Sequence, residues 1–262
     1  MSTNKKMPVL FIGRGSPNNA IEENKYTLEW KKLAEKIEKP KAILVISSNW
    51  VTQGTGITAM LKPDTIHDIE DGFPDKLFSF WYNADGNPEL AKKIKDTIKS
   101  SKIILVDNQY GLDHGAWTVL NQMYPKADIP VLQLSLDYYK SPYQHYELGK
   151  ELSHLREEGV LIIGSGNIVY NYTKGDFFNP SGYYDWAKSF DNFVKVSLLD
   201  DDHKSLINYQ DFGSDALESV PVPEYYYPLL YTLGAKDNND SVSFPVEDII
   251  FGALSMRSVL FS

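Results

Sequence analysis

The chain has 262 residues, enough for one large domain or two small ones, and its 42% hydrophobic and 23% charged residues are typical of a globular protein. A formal net charge of −9, with no cluster of Lys and Arg, argues against binding to the phosphate backbone of nucleic acids. Without cysteine there are no disulfides, thiolate nucleophiles or Cys-ligated zinc, and no apolar run approaches the roughly 18 residues of a membrane helix, so we expect a cytoplasmic protein that binds neither nucleic acid nor membrane.

Short aliphatic runs recur along the chain and are separated by helical patterns. The predicted strands are Val9–Ile12, Ala42–Ile46, Ile103–Val106, Val131–Leu136 and Val160–Ile163. Near-continuous apolarity of this kind is typical of strands that are covered on both faces. The alternation predicts a single α/β domain over residues 1–262, with a largely parallel or mixed central sheet flanked by helices.

Three stretches between these strands have the apolar spacing of an amphipathic helix. The first helix is predicted to have Thr27 as its N-cap, and the second to begin at Asn87 and Pro88, a capping residue followed by an N1 proline. The third carries an apolar stripe over 186–194, and segment 210–219 is predicted to be a polar loop.

In an open α/β sheet, ligands bind beyond the carboxyl ends of the strands. Five stretches of small, polar and aromatic residues are predicted near that edge: GRGSP, SSNW, GLDHGAW, GSGNIVYN and PEYYYPLLY. None of them contains a dinucleotide fingerprint, a phosphate-binding P-loop or a nucleophile elbow. A triad of Ser16, His114 and Asp113 is disfavoured because the last two are adjacent and poorly placed to bond side chain to side chain.

Taken together, these stretches resemble the LigB-type class III extradiol dioxygenases, in the DOPA 4,5-dioxygenase-like branch. The matching segments occur in family order: FIGRGSPNNAI, KAILVISSNW, IHDIEDGFP, YGLDHGAW, IPVLQLSLD, GSGNIVYN, PEYYYPLLYTLGA and LSMRSV. The resemblance implies one α/β domain and a non-haem metal, Fe(II) for catalysis and often Zn(II) as isolated. With that metal and O2, family members cleave a catechol ring beside its two hydroxyls.

The chain departs from this family pattern at its histidines. Where the family has HGSP, a histidine before the tryptophan of the second loop, and PEH, this sequence has Arg14, Asn49 and Tyr225. A further family histidine, thought to contact substrate, is Tyr170 here, and only the acid/base histidine survives, as His114. The resemblance therefore implies that the three metal-ligand positions hold no metal ligand, and we expect no Fe(II) or Zn(II) cofactor.

One hypothesis is that the former active-site pocket binds a small aromatic or carboxylate molecule. The planar guanidinium of Arg14 suits a carboxylate, while Ser16, His67 and Glu224 are candidate pocket residues. On a purely structural interpretation, Arg14 instead forms a salt bridge with Glu224 or Asp113 and fills the space left by the metal.

Two other functions stay open. The chain could be a metal-independent acid/base enzyme that uses His114 with Arg14, or it could retain ring cleavage through an unusual metal site near the IHDIEDGFP carboxylates. His145, His154 and His203 have polar neighbours and are predicted to lie at the surface. A homo-oligomer is compatible with such a fold, and enzyme and pseudoenzyme are both compatible with the sequence.

Overall fold

A mixed eight-stranded sheet forms the centre of the computed structural model, which describes residues 6–106 and 108–262. The strands are β1 Val9–Gly13, β2 Ala42–Thr52, β3 Thr55–Thr58, β4 Ile103–Val106, β5 Val131–Asp137, β6 Val160–Gly166, β7 Val242–Val246, β8 Ile249–Ile250, β9 Leu254–Ser255 and β10 Ser258–Phe261. Their order in the sheet is β4-β3-β5-β2-β6-β1-β10-β7, with β8 and β9 forming a separate ribbon. Strands β1, β2, β5 and β6 run parallel at its centre, and antiparallel pairs flank them. The predicted α/β fold with a mixed sheet is confirmed.

The helices cover both faces of this sheet. They are α1 Lys25–Lys36, α2 Asp75–Phe78, α3 Pro88–Thr97, α4 His114–Met123, α5 Pro142–Leu152, α6 Asp185–Leu199, α7 His203–Ile207, α8 Ser214–Ser219 and α9 Tyr227–Ala235. Because side chains alternate along a strand, Val9 and Phe11 of β1 pack in one core while Leu10 and Ile12 pack in the other. The α5 and α9 helices cover the first core, and α1 and α4 cover the second.

Two local predictions need correction. The N-cap of α1 is Asn24, whose side chain accepts from the backbone N–H groups of Tyr26 and Thr27. Thr27 is the third helical residue and accepts from the Asn24 backbone in return, so both belong to one capping box. Segment 210–219 is largely helical and contains α8. The predicted cap of α3 is confirmed, since Asn87 accepts from Leu90 N at 2.9 Å.

Within the part of the chain that the structure describes, no helix is both long and apolar enough to cross a bilayer.

Candidate functional site

Three neighbouring parallel strands bring the GRGSP, SSNW and GSGNIVYN stretches to one edge of the sheet. The predicted end of the second strand at Ile46 is wrong, because β2 continues to Thr52 and contains SSNW. The register pairs Gly13 of β1 with Gly166 of β6, and Ser47 of β2 with Ser165 of β6. Arg14 and Asn49 therefore lie on opposite sides of β6, near the carboxyl ends of all three strands. This edge is where ligands bind in open α/β sheets.

The Arg14 side chain is buried, with 2% of the residue exposed. Its backbone is fixed by two hydrogen bonds: Arg14 N donates to Gly166 O at 3.0 Å, and Asn19 Nδ2 donates to Arg14 O at 2.8 Å. Among the described residues, the buried Nε and Nη1 of Arg14 have no hydrogen-bond partner, and its guanidinium forms no ion pair. The predicted salt bridge to Glu224 or Asp113 is wrong.

The two other arginines of the chain are also buried, and both are paired with carboxylates. Arg156 is 1% exposed and bonds Asp240 through both terminal nitrogens, at 2.6 and 2.9 Å. Arg257 is 6% exposed and forms ion pairs with Asp191 and Glu247. A buried cation is usually paired, because desolvating an uncompensated charge costs several kcal/mol. Arg14 is the one of the three arginines that has no carboxylate partner within residues 6–106 and 108–262.

An aromatic pair lies beside Arg14. The rings of Tyr170 and Tyr225 are stacked, with centroids 3.9 Å apart and planes 23° from parallel. Burial raises the pKa of Tyr170 and Tyr225 raises it further, while the positive charge of Arg14 opposes them. Tyr170 is therefore a neutral phenol within electrostatic range of the guanidinium.

The backbone holds Tyr225 close to β6. Asn167 N donates to Tyr225 O at 2.9 Å. A Cβ at Gly166 would lie 2.2 Å from Tyr225 O, and a Cβ at Gly164 would lie 2.6 Å from Pro228 O. Only glycine at these two positions allows the Tyr225 segment to approach the strand so closely.

His114 is the first residue of α4 and bonds to a carboxylate from a distant loop. Asp68 Oδ2 lies 3.0 Å from His114 Nδ1, and Asp68 Oδ1 accepts from His114 N at 2.8 Å. Burial raises the pKa of Asp68, but the hydrogen bonds from His114 and the electrostatic attraction of its side chain outweigh burial and bring the pKa below its ordinary value. Asn49 Nδ2 lies over the ring, 3.2 Å from His114 Nε2 and 3.5 Å from Nδ1.

Asp113 is fully buried and does not orient His114 as a triad acid would. It is the N-cap of α4, where its Oδ1 accepts from Ala116 N at 2.9 Å. Its Oδ2 accepts from Gln133 Nε2 and from Tyr110 Oη. Burial and the charge of Asp68 raise the pKa of Asp113. Ser16 caps the short turn that follows β1, so the disfavoured triad is not assembled.

The remaining histidines have structural contacts. His67 Nε2 bonds to Phe80 O at 2.8 Å, and its ring packs edge-on against Trp81. The predicted surface position of His145 is wrong, because it is fully buried and bonds to the hydroxyl of Tyr231 through Nδ1.

His154 and His203 were also predicted to lie at the surface, and both are half-buried. Glu224, a predicted pocket residue, is half-buried as well.

The model of the LigB family, described as "Catalytic LigB subunit of aromatic ring-opening dioxygenase", matches residues 8–248. The chain belongs to the LigB family. A relative from Escherichia coli strain K12, named 4,5-DOPA dioxygenase extradiol, is 44% identical over 97% of this chain and 94% of its own. A relative of the same name from Beta vulgaris is 38% identical over 96% of this chain and 95% of its own. The crystal structure of an uncharacterized Escherichia coli K12 protein matches with a TM-score of 0.85 and 40% identity, over 98% of this chain and 100% of that one.

The residues at the three positions that the family resemblance assigns to metal ligands are poor ligands for a divalent ion. The guanidinium of Arg14 has no lone pair to donate, Asn49 offers at most a neutral oxygen, and Tyr225 offers one phenol. The buried N–H groups of Arg14 that lack a partner among the described residues are hydrogen-bond donors and not metal ligands. Within residues 6–106 and 108–262, no group of three or more His, Asp or Glu side chains could hold a metal ion.

Sequence reasoning missed two residues of this LigB-family site. Tyr110 stacks on Trp50 with centroids 4.5 Å apart and carries one of the donors to Asp113. Gln133, in the middle of β5, supplies the other donor. A long polar Gln between two leucines of a predicted buried strand was the available signal, since buried polar groups need partners.

Proposed function

We propose that this LigB-family protein binds a small aromatic acid in its former active-site pocket and does not cleave catechol rings. The observation that carries the proposal is Arg14, a buried guanidinium whose Nε and Nη1 have no partner among the described residues. An unpaired buried charge is costly, and a bound carboxylate would compensate it with charge-assisted hydrogen bonds. Arg14 is the recognition group for that carboxylate.

The same charge disfavours the metal that family members use. A guanidinium and a divalent cation about 4 Å apart would repel by several kcal/mol, even at an effective dielectric constant of about 20. With an arginine, an asparagine and a tyrosine at the ligand positions, we propose that the chain needs no Fe(II) or Zn(II). The relatives named as dioxygenases would then differ from this chain at the site rather than in the fold.

The stacked tyrosines suit the aromatic part of such a ligand. Tyr170 and Tyr225 stack on each other, and Tyr170 is within electrostatic range of Arg14. Aromatic pairs add roughly 0.5–1.5 kcal/mol beyond the area that they bury. A planar aromatic carboxylate would use the guanidinium and the tyrosines together, whereas a neutral phenol would use only the tyrosines.

The test compares 3,4-dihydroxybenzoate with catechol, which has the same ring but no carboxylate. We expect 3,4-dihydroxybenzoate to raise Tm more than catechol does. At a concentration of 100 times Kd the stabilisation is about 2.7 kcal/mol, which for a chain of this size corresponds to several degrees. Arg14→Met should abolish the shift, Arg14→Lys should weaken it, and Lys32→Ala on the exposed face of α1 should leave it unchanged. Equal shifts in wild type and Arg14→Met would refute the proposal.

Two further measurements address the metal and the reaction. Protein purified in the presence of iron or zinc should contain far less than one metal ion per chain, and O2 uptake with catechol should stay at the buffer rate. Stoichiometric metal, or catechol consumption by the unmodified protein, would establish retained ring cleavage instead.

The Asp68–His114 pair favours a second candidate, a metal-independent acid/base enzyme. A histidine bonded to a carboxylate through Nδ1 is the usual arrangement of a proton carrier, and the distance here is 3.0 Å. In this alternative Arg14 would stabilise an anionic intermediate. It requires a turnover that His114→Ala abolishes while leaving the binding of 3,4-dihydroxybenzoate intact.

A further inference from the structure

The imidazole of His114 has a polar contact at each ring nitrogen. On one side, Asp68 Oδ2 lies 3.0 Å from Nδ1. An ionised carboxylate can only accept hydrogen bonds, so this contact places the ring proton on Nδ1. The second oxygen of Asp68 accepts from His114 N at 2.8 Å, which fixes the carboxylate relative to the ring.

On the other side, the Asn49 amide lies across the ring. Its Nδ2 is 3.2 Å from Nε2 and 3.5 Å from Nδ1, and these similar distances place it over the face of the ring, slightly nearer to Nε2. Ser48 Oγ donates to Asn49 Oδ1 at 3.2 Å, which orients the amide, and Asn49 N donates to Ser47 Oγ at 3.1 Å, which fixes the backbone. The amide nitrogen, a donor, therefore faces the imidazole.

We propose that Asp68 and Asn49 are positioning residues that hold His114 as the Nδ1–H tautomer and shield its Nε2. The inference goes beyond the proposed function, since it concerns His114 and is independent of whether Arg14 binds an acid. The acid/base histidine of the family then persists in the sequence, but its free nitrogen is covered by the asparagine at a former metal-ligand position. A reaction that uses His114 as a base would first have to displace the Asn49 amide.

Acylation by diethyl pyrocarbonate tests the shielding, because an unprotonated imidazole nitrogen attacks a carbonyl carbon of the reagent, forms N-ethoxycarbonylhistidine and releases ethyl carbonate. Peptide mass spectrometry gives the rate for each histidine separately. In Asn49→Ala, removal of the amide that crowds Nε2, a polar contact worth about 1 kcal/mol, should raise the rate at His114 about fivefold. His67 is the internal control, since its Nε2 bonds to Phe80 O and Asn49→Ala leaves that bond in place. An unchanged rate at His114 in a folded Asn49→Ala protein would overturn the shielding by Asn49.

Nitrogen-15 spectra of histidine-labelled protein test the tautomer without altering the site. The His114 signals, identified by their loss in His114→Gln, should show a protonated Nδ1 and an unprotonated Nε2. In Asp68→Asn the new side-chain amide can donate to Nδ1, and the proton should move to Nε2. A protonated Nε2 in the wild-type protein, or an unchanged tautomer in Asp68→Asn, would overturn the role of Asp68, whatever the outcome of ligand binding at Arg14.

Discussion

Replacing Arg14 by methionine should stabilise the protein, although the substitution removes a large buried side chain. Arg14 is 2% exposed, and its Nε and Nη1 have no partner among the described residues. Each buried, unsatisfied donor costs roughly 1–3 kcal/mol, and the uncompensated charge adds a desolvation penalty. Methionine fills a similar volume without polar groups and adapts to irregular space. We expect Arg14→Met to raise the free energy of unfolding by about 2 kcal/mol.

The matched control is the same substitution at a buried arginine that is paired. Arg156 is 1% exposed and bonds Asp240 through both terminal nitrogens. Arg156→Met leaves that carboxylate without its partner and should lower the free energy of unfolding by about 3–5 kcal/mol. The same Arg→Met substitution should therefore raise the free energy of unfolding at position 14 and lower it at position 156.

Urea unfolding, followed by tryptophan fluorescence in a buffer free of carboxylates, measures both variants. A change in midpoint at constant m reports stability alone. If Arg14→Met loses as much stability as Arg156→Met, then Arg14 has partners in solution and the reasoning behind the anion site is refuted.

Three other variants probe the site and the core. Restoring the family residues in the triple variant Arg14→His, Asn49→His and Tyr225→His should give about one zinc per chain in metal analysis; a folded triple variant without metal would show that these positions do not form a site. Gly115→Ala should lower the urea midpoint, with a loss of about 1–3 kcal/mol, because its Cβ would lie 2.1 Å from a buried serine hydroxyl; wild-type stability would contradict this packing. Burial lowers the pKa of His145 from 6.5 to about 3. Between pH 6.5 and about 3 the unfolded chain therefore binds a proton that the folded chain does not. In this range the free energy of unfolding should fall by up to about 1.4 kcal/mol for each pH unit as the pH drops. His145→Gln should flatten this pH dependence of the urea midpoint, and an unchanged slope would place the titration elsewhere.

Five strands of the sheet, β1, β2, β4, β5 and β6, could be predicted from the sequence because continuous aliphatic runs leave few alternatives. The short strands β3, β7 and β10 were missed. The burial of His145 could also have been predicted, since His145 shares an apolar stripe with Leu148, Gly149 and Leu152 at helical spacing. All four residues are buried, and their helix packs against α9. Polar neighbours in the sequence were the wrong guide.

The partners of the site residues could not be predicted in the same way. Asp68 lies 46 positions from His114 in a loop without regular structure, so no local periodicity relates the two. The unpaired state of Arg14 depends on where every carboxylate of the fold lies, and charge patterning along the chain does not carry that information. Propensity and periodicity report local geometry, whereas ion pairing is decided by tertiary contacts.

Gly164 and Gly166 of β6 fix the position of the neighbouring backbone independently of the side chains that carry the chemistry of the site. Backbone lies against backbone where Gly164 and Gly166 meet the segment that contains Tyr225 and Pro228. The distance between the Tyr225 segment and the strand is consequently set by main-chain contact and not by the side chains around it. Side chains at this edge of the sheet can then be exchanged during evolution while the backbone keeps its position. A backbone of this kind can accept a different set of reactive groups without refolding.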